Sequence, residues 1–227
     1  MRIDELNYQD VESYLQKDDR LLLVVGACEQ HGYLSLMTDI KIPLALADAT
    51  SQKTGVLVAP PLNFGISPAF LDYPGTISLR ASTFMDVVED LIRSVYRAGF
   101  RRLVFVNGHG GNTAGVTRTV ELMNELPDLK AAWYSWWIAA NVTECAAKHG
   151  LHSEHAAWIE NFRFTRVAEL PAGEKPLVWS KWLHGAAGTR DLAGDGVYGG
   201  PYQVDDAIMD ELFQVAAQDV IDLVEER

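Results

Sequence analysis

Leu21-Leu22-Leu23-Val24-Val25-Gly26 runs through Ala27 and Cys28 into Glu29-Gln30-His31-Gly32, and Asp39 follows the histidine by eight residues. Five hydrophobes closed by a glycine read as a strand buried on both faces, the pattern of a parallel sheet. In open α/β sheets, ligand sites form where such strands end. Glu29 and His31 are two residues apart, so an extended backbone directs both side chains to one side. A carboxylate and an imidazole there, with Asp39 within loop reach, make the beginning of a metal site. The residues alone leave two other readings open: a capped strand end with a hydrogen-bonded histidine, and Asp39 as the N-cap of the helix containing Pro43.

A second stretch repeats the layout. Arg102-Leu103-Val104-Phe105-Val106 reads as another buried strand and runs into Asn107-Gly108-His109-Gly110-Gly111-Asn112. Its glycines let the chain bend sharply around one imidazole. Such a loop can also cradle phosphate, but no Gly-Lys-Ser/Thr follows and the G-x-G-x-x-G spacing is absent. A third stretch, Glu154-His155-Ala156-Ala157-Trp158-Ile159-Glu160, adds another imidazole and more carboxylates. The neighbouring His149 and His152 read as surface or loop residues.

Between these stretches the periodicities alternate. Strands are predicted at 21–26, 56–59, 102–106 and about 130–134. Helices are predicted at 4–16, 43–53, 83–98, 113–125 and from about 205 to the end. In the clearest helix, Phe84, Val88, Leu91 and Val95 form the stripe, with Ser82 as N-cap and Gly99 as the stop. Residues 185–201 read as a glycine-rich ordered loop. The last helix carries Ile208, Leu212, Val215 and Val220 and ends in a solvated Glu225-Glu226-Arg227. The expected architecture is a three-layer α/β/α sandwich with a mostly parallel central sheet, and residues 1–227 are expected to be one domain.

Five elements, in order, resemble the creatininase (creatinine amidohydrolase) family. They are Gly26 through Asp39, Tyr73-Pro74-Gly75-Thr76-Ile77-Ser78-Leu79, Gly99 through Asn112, His155 through Glu160, and Gly196-Val197-Tyr198-Gly199-Gly200-Pro201. The resemblance implies the same three-layer fold and a dinuclear centre at the C-terminal edge of the sheet. It assigns Glu29 and His109 to one metal, His31 and Glu160 to the other, and Asp39 to both. The two divalent ions would be Zn²⁺, Mn²⁺ or Fe²⁺ and would activate water against an amide or formamide carbonyl, with His155 passing a proton to the leaving nitrogen. The implied substrate is a small molecule with a non-peptide C–N bond.

The chain departs from creatininase proper at informative places. Gly110-Gly111 stands where that enzyme has Tyr-Glu, and Leu151 where it has a lidding tryptophan. The spacer between His31 and Asp39 is one residue short. Asn161-Phe162 replaces Thr-Ser, and Trp158 stands where many members carry a carboxylate. Creatinine itself is therefore not the expected substrate. Of Trp136 and Trp137, one is expected in the core and one on the pocket wall. Two alternatives remain: a metal-free hydrolase with Cys28 as nucleophile and His109 as base, and a small-molecule-binding domain that lost turnover.

Composition narrows the setting. A formal net charge of −12 argues against nucleic acid and anionic membranes. No apolar run approaches the ~20 residues of a membrane span, and Met1-Arg2-Ile3-Asp4-Glu5 does not start a signal peptide. Two cysteines, Cys28 and Cys145, form no disulfide framework. A cytoplasmic setting and a homo-oligomer, as among relatives, are the expectations.

Overall fold

The computed structural model describes residues 1–226; Arg227, the end of the tail read from the sequence, lies outside the described residues. Four strands make the central sheet: β1 (Arg20–Val25), β2 (Leu57–Val58), β3 (Arg102–Asn107) and β4 (Lys130–Ser135). They pair in the order β2-β1-β3-β4, all parallel. The side-chain period of two sorts each strand between two cores. Leu21, Leu23, Leu57, Leu103 and Phe105 face one way. They pack on Phe84, Val88 and Ile92 of α3 (Ala81–Ala98) and Leu122 of α4 (Ala114–Glu125), with Val11 and Tyr14 of α1 (Tyr8–Leu15) at the margin. Leu22, Val24, Val58, Val104 and Val106 face the other way. Their partners lie on α2 (Thr38–Thr54), α5 (Ala140–Lys148) and α7 (Asp206–Glu225). Helices thus cover both faces, and the three-layer α/β/α reading holds.

Several boundaries differ from the sequence reading. The opening helix is interrupted: a 3-10 turn at Ile3–Glu5 precedes α1, whose start is set by Asn7. The Asn7 side chain accepts from the Gln9 and Asp10 amides while Asp10 accepts from the Asn7 amide, a reciprocal cap. Ser82 is not the N-cap of α3; the helix begins at Ala81 after Arg80, without a side-chain cap. Ile92, not Leu91, is buried on that helix. Within 185–201, read as loop, residues Ala186–Ala193 form α6. Helix α5 had no expectation at all. The stripe of α7 runs through Met209, Leu212, Ala216, Val220 and Val224, with Ile208 and Val215 beside it.

The largest correction concerns α2. It begins at Thr38, not Pro43, and Asp39 lies inside its first turn instead of capping it. Pro43 has no N–H to offer the carbonyl of Asp39, four residues earlier. The ends of β1 and β3 pack against that carbonyl through glycines. A Cβ on Gly26 would lie 2.1 Å from the Asp39 oxygen, and one on Gly108 would lie 2.0 Å from it. Only glycine permits this approach, and it brings Asp39 to the edge where both strands end.

The register completes the placement. Val25 pairs with Asn107, and Asn107 with Ser135. Strands β1, β3 and β4 therefore stop level. The segments after them, 26–31, 108–113 and 136–138, leave one edge together.

Candidate metal centre

At that edge His31 Nε2 lies 2.9 Å from Asp39 Oδ1 and 3.6 Å from Glu160 Oε1. His109 Nδ1 lies 3.0 Å from Asp39 Oδ2 and 3.3 Å from Glu29 Oε1. All five residues are buried. Three groups of three result at this edge: Glu29-Asp39-His109 and His31-Asp39-Glu160, which share Asp39, and Glu29-His31-His155. Although these atoms are close, His31 Nε2, Asp39 Oδ2 and Glu29 Oε2 have no aligned hydrogen-bond partner. Buried polar atoms left so are costly, by about 1–3 kcal/mol each. Cations between them would resolve the mismatch, because each oxygen and nitrogen could then offer a lone pair to a metal.

The second nitrogen of each imidazole is held by a backbone carbonyl. His31 Nδ1 is 3.1 Å from the Glu29 carbonyl, and His109 Nε2 is 2.9 Å from that of Ile66. These contacts place a proton on the far nitrogen and turn the near one toward the carboxylates, the arrangement of metal-ligating histidines. Nearby amides brace the loop. Asn107 donates to the His109 carbonyl and accepts from the His109 amide, and Asn112 donates to the Gly26 carbonyl. Glu160 accepts from the Ala156 amide through its other oxygen at 2.6 Å. Ala156 takes a left-handed conformation, φ 59°, to direct that amide.

The electrostatics follow from the same contacts. Burial alone would lower the pKa of His31, yet Asp39 and Glu160 outweigh it and hold the value well above the ordinary one. His109 behaves likewise: burial opposes, and bonding to Asp39 and Glu29 wins. Burial would raise the Asp39 carboxyl, but His31 and His109 hold it far below the usual carboxylate range.

His155 stands beside this cluster, its ring 4.7 Å from that of His31 and stacked on Phe70 at 4.8 Å. Burial, with the nearby His31, holds its pKa down to about 4. Gln30 fixes its tautomer. The Gln30 carbonyl oxygen accepts from the Gly32 amide, and its nitrogen donates to the Gly196 carbonyl. That orientation leaves amide hydrogen for His155 Nε2, 2.9 Å away, so Nε2 accepts and Nδ1 carries the proton.

A cavity of about 450 Å³ opens onto the cluster. Phe70, Trp137, Ile138 and Tyr198 form apolar wall, and Glu154 and His155 line it with Glu29, Asp39 and Glu160. Trp137 is the wall tryptophan, whereas Trp136 is buried in the core. Trp158 is also core, its indole N–H donating to the His152 carbonyl. Asn161 is buried and donates to the Tyr202 carbonyl, and Phe162 packs in the core, so the two divergent residues serve structure. His149 and His152 lie outside the cluster, and His149 pairs with Glu211. Gln30, Phe70 and Tyr198 were not singled out from the sequence. Tyr198 sits in the Gly196–Pro201 element already noted there, and Phe70 had no local signal.

Cys28 does not form a nucleophile–base pair with His109. Its thiol donates to the Gly75 carbonyl, and burial together with Glu29 pushes its pKa up. Both ring nitrogens of His109 face oxygens instead.

Parallel strands ending together on a buried His/carboxylate cluster define an α/β protein with a candidate cation site at a sheet edge. A family model described as creatininase, creatinine amidohydrolase, matches residues 4–224, and the chain belongs to the creatininase family. Creatinine amidohydrolase of Pseudomonas putida is 33% identical over 148 residues, 60% of this chain and 57% of the relative. A mycofactocin precursor peptide peptidase of Mycolicibacterium smegmatis is 33% identical over 142 residues, 59% of this chain and 54% of the relative. The chain thus spans a little over half the length of these curated relatives. A solved structure described as creatininase Mn superposes with a TM-score of 0.85 over 98% of this chain and 96% of that one, at 23% identity. A mutant creatininase of Zn–Zn type gives 0.84 with the same coverage and identity. At that identity the likeness speaks for the fold.

Proposed function

We propose that the chain is a single-domain, divalent-metal-dependent amidohydrolase acting on a non-peptide C–N bond of a small molecule, a cyclic amide or a formamide. Glu29, His109 and Asp39 would hold one ion, and His31, Glu160 and Asp39 a second. The observation that carries this reading is the pair of carbonyl-fixed imidazoles turned toward opposite oxygens of one buried aspartate. The donor set, imidazole with carboxylate, suits Zn²⁺, Mn²⁺ or Fe²⁺. When bound, such ions polarise a carbonyl and make water nucleophilic near neutral pH.

The chain's own residues supply the rest. Phe70, Trp137 and Tyr198 form apolar wall around the cavity, which limits bulk water and strengthens charge interactions within it. His155, neutral and held by Gln30 in the Nδ1–H form, would relay to the departing nitrogen the proton released by the attacking water. Gly110 leaves open space on the side of Trp137, whereas Gly111 is close-packed: a Cβ there would lie 2.0 Å from the Ile66 carbonyl oxygen and 2.5 Å from His109 Nε2. One relative is named as a creatinine amidohydrolase and another as a peptide peptidase, and the reading follows the amide chemistry of the first name. A cytoplasmic homo-oligomer is the accompanying expectation; among the described residues no helix is long and apolar enough to cross a membrane.

The test has two arms. Metal content of the purified chain is measured before and after chelation, and hydrolysis of lactams and formamides is assayed in Zn²⁺, Mn²⁺ and Fe²⁺ forms. Activity lost on chelation and restored by one of these ions is expected. A chain that binds no ion at the Asp39 cluster, or hydrolyses its substrate equally well without one, would refute the proposal.

A further inference from the structure

The second cysteine has an environment unlike that of the first. Cys145 and His149 are four residues apart at the end of α5, so they share one side of the helix. Glu211 reaches the same spot from α7, which packs across α5. One donor atom from each of the three lies within 4.8 Å of the other two. His149 Nε2 and Glu211 Oε2 are 2.9 Å apart. The thiol is buried, while the imidazole and carboxylate side chains are 31% and 48% exposed. A cation arriving from solvent would therefore meet two accessible ligands first and the thiol behind them.

We propose that Cys145, His149 and Glu211 form a second divalent-cation site, separate from the Asp39 cluster, which takes Zn²⁺ or a similar borderline-soft ion and ties α5 to α7. The donor set is one thiolate, one imidazole and one carboxylate, a combination that zinc accepts in four-coordinate geometry with water in the remaining position. The only bonds that form are to the metal. Cys145 loses its proton to solvent, His149 binds as the neutral ring, and nothing is oxidised or reduced. Burial and Glu211 push the free thiol's pKa up. A bound dication reverses both influences, because it neutralises the carboxylate and stabilises the thiolate directly. Lys148, next to His149, opposes binding, so the affinity rests on the three ligands.

The location gives the site a consequence. Helix α5 joins the segment carrying Trp137 and Ile138 to the segment carrying Glu154 and His155, and all four residues line the cavity. An ion that locks α5 on α7 would steady both walls from behind.

The experiment titrates the full-length chain with Co²⁺ and follows the near-ultraviolet charge-transfer band that only thiolate ligation produces. The Asp39 cluster contains no thiolate, so it is silent in this readout. Cys28 adjoins Glu29, and Cys28→Ser serves as the background. The band should appear in the wild type and in Cys28→Ser and vanish in Cys145→Ser, and Zn²⁺ should displace it. His149→Ala and Glu211→Gln, both at exposed side chains, should weaken Co²⁺ binding by ~10-fold or more. These two variants decide the matter alone should Cys145→Ser fail to fold. Absence of the band from the wild type, its survival in Cys145→Ser, or unchanged affinity in both exposed-ligand variants would show a hydrogen-bonded triad and no metal site.

Discussion

Asp39 meets a different histidine with each of its oxygens, His31 at Oδ1 and His109 at Oδ2. Its removal should therefore disturb both halves of the cluster, while Glu29 or His109 touches one. Asp39→Ala is expected to lose both ions after dialysis, and Glu29→Ala or His109→Ala mainly one, by metal stoichiometry relative to wild type. A full complement in Asp39→Ala would leave this residue a purely structural part of α2. His155 contributes differently, because it touches the cavity and not Asp39. His155→Ala should keep its metals and lose turnover by ~10²–10⁴-fold, with the exposed His152→Ala nearly silent. Gln30→Glu puts an acceptor where an amide donated to His155 Nε2. The imidazole should then take its proton at Nε2, and kcat should fall with metal content intact. Unchanged kcat in both variants would remove His155 from the chemistry.

At the level of elements, the site depends on three backbone segments meeting at one carbonyl. Gly26 after β1 and Gly108 after β3 both pack on the Asp39 oxygen at the start of α2. A methyl group at 108 must push β3 or α2 away, and overpacking of this kind costs about 1–3 kcal/mol. Gly108→Ala should lower Tm and weaken metal binding together. Gly110→Ala is the control: its Cβ would meet Trp137 at an ordinary 3.7 Å, so its Tm should stay close to wild type. Equal thermal stability of the two variants would mean that the strand–helix contact is slack. These relations also explain one misreading. Asp followed by Pro four residues later resembles a cap with proline in the first turn. The helix starts earlier because Thr38 already has its turn, with its hydroxyl donating to the Ser35 carbonyl.

For the whole molecule, the buried charges predict opposite pH responses with and without metal. In the metal-free chain the pKa values of His31 and His109 are raised above the unfolded value. Their protonation therefore stabilises the fold fully below the unfolded value near ~6.5. That contribution is lost as pH rises through the raised values. Metals need the same nitrogens unprotonated, so apparent affinity should rise with pH over the same window. Thermal scans of the chelated chain between neutral and alkaline buffer, where His155 with its depressed pKa is already neutral, should show Tm falling, with the metal-loaded chain falling less or rising. Parallel curves for the two forms would contradict this electrostatic account. Substrate choice also belongs to this scale. Leu151 packs on the core, and the cavity is walled from another side by Phe70, Trp137 and Tyr198. Creatinine should be turned over poorly, with kcat/KM below ~10⁴ M⁻¹s⁻¹. A value above that in any of the Zn²⁺, Mn²⁺ or Fe²⁺ forms would restore the namesake activity.

The parallel sheet was legible because its strands are buried on both faces and so are written as unbroken hydrophobic runs. Glu29, His31, Asp39, His109, His155 and Glu160 were legible as candidates because each sits in a motif ordered along the chain. Other features depend on contacts between segments far apart in sequence. The start of α2, the existence of α5 and α6, and the core positions of Trp136 and Trp158 are of this kind, because packing outweighs local propensity in short or weakly patterned stretches. The Gln30–His155 contact joins residues 125 apart. The contact of Ile66 with His109 spans 43. No local pattern records such pairs: they form only when level strand ends and a glycine-lined carbonyl bring loops from across the chain to one edge.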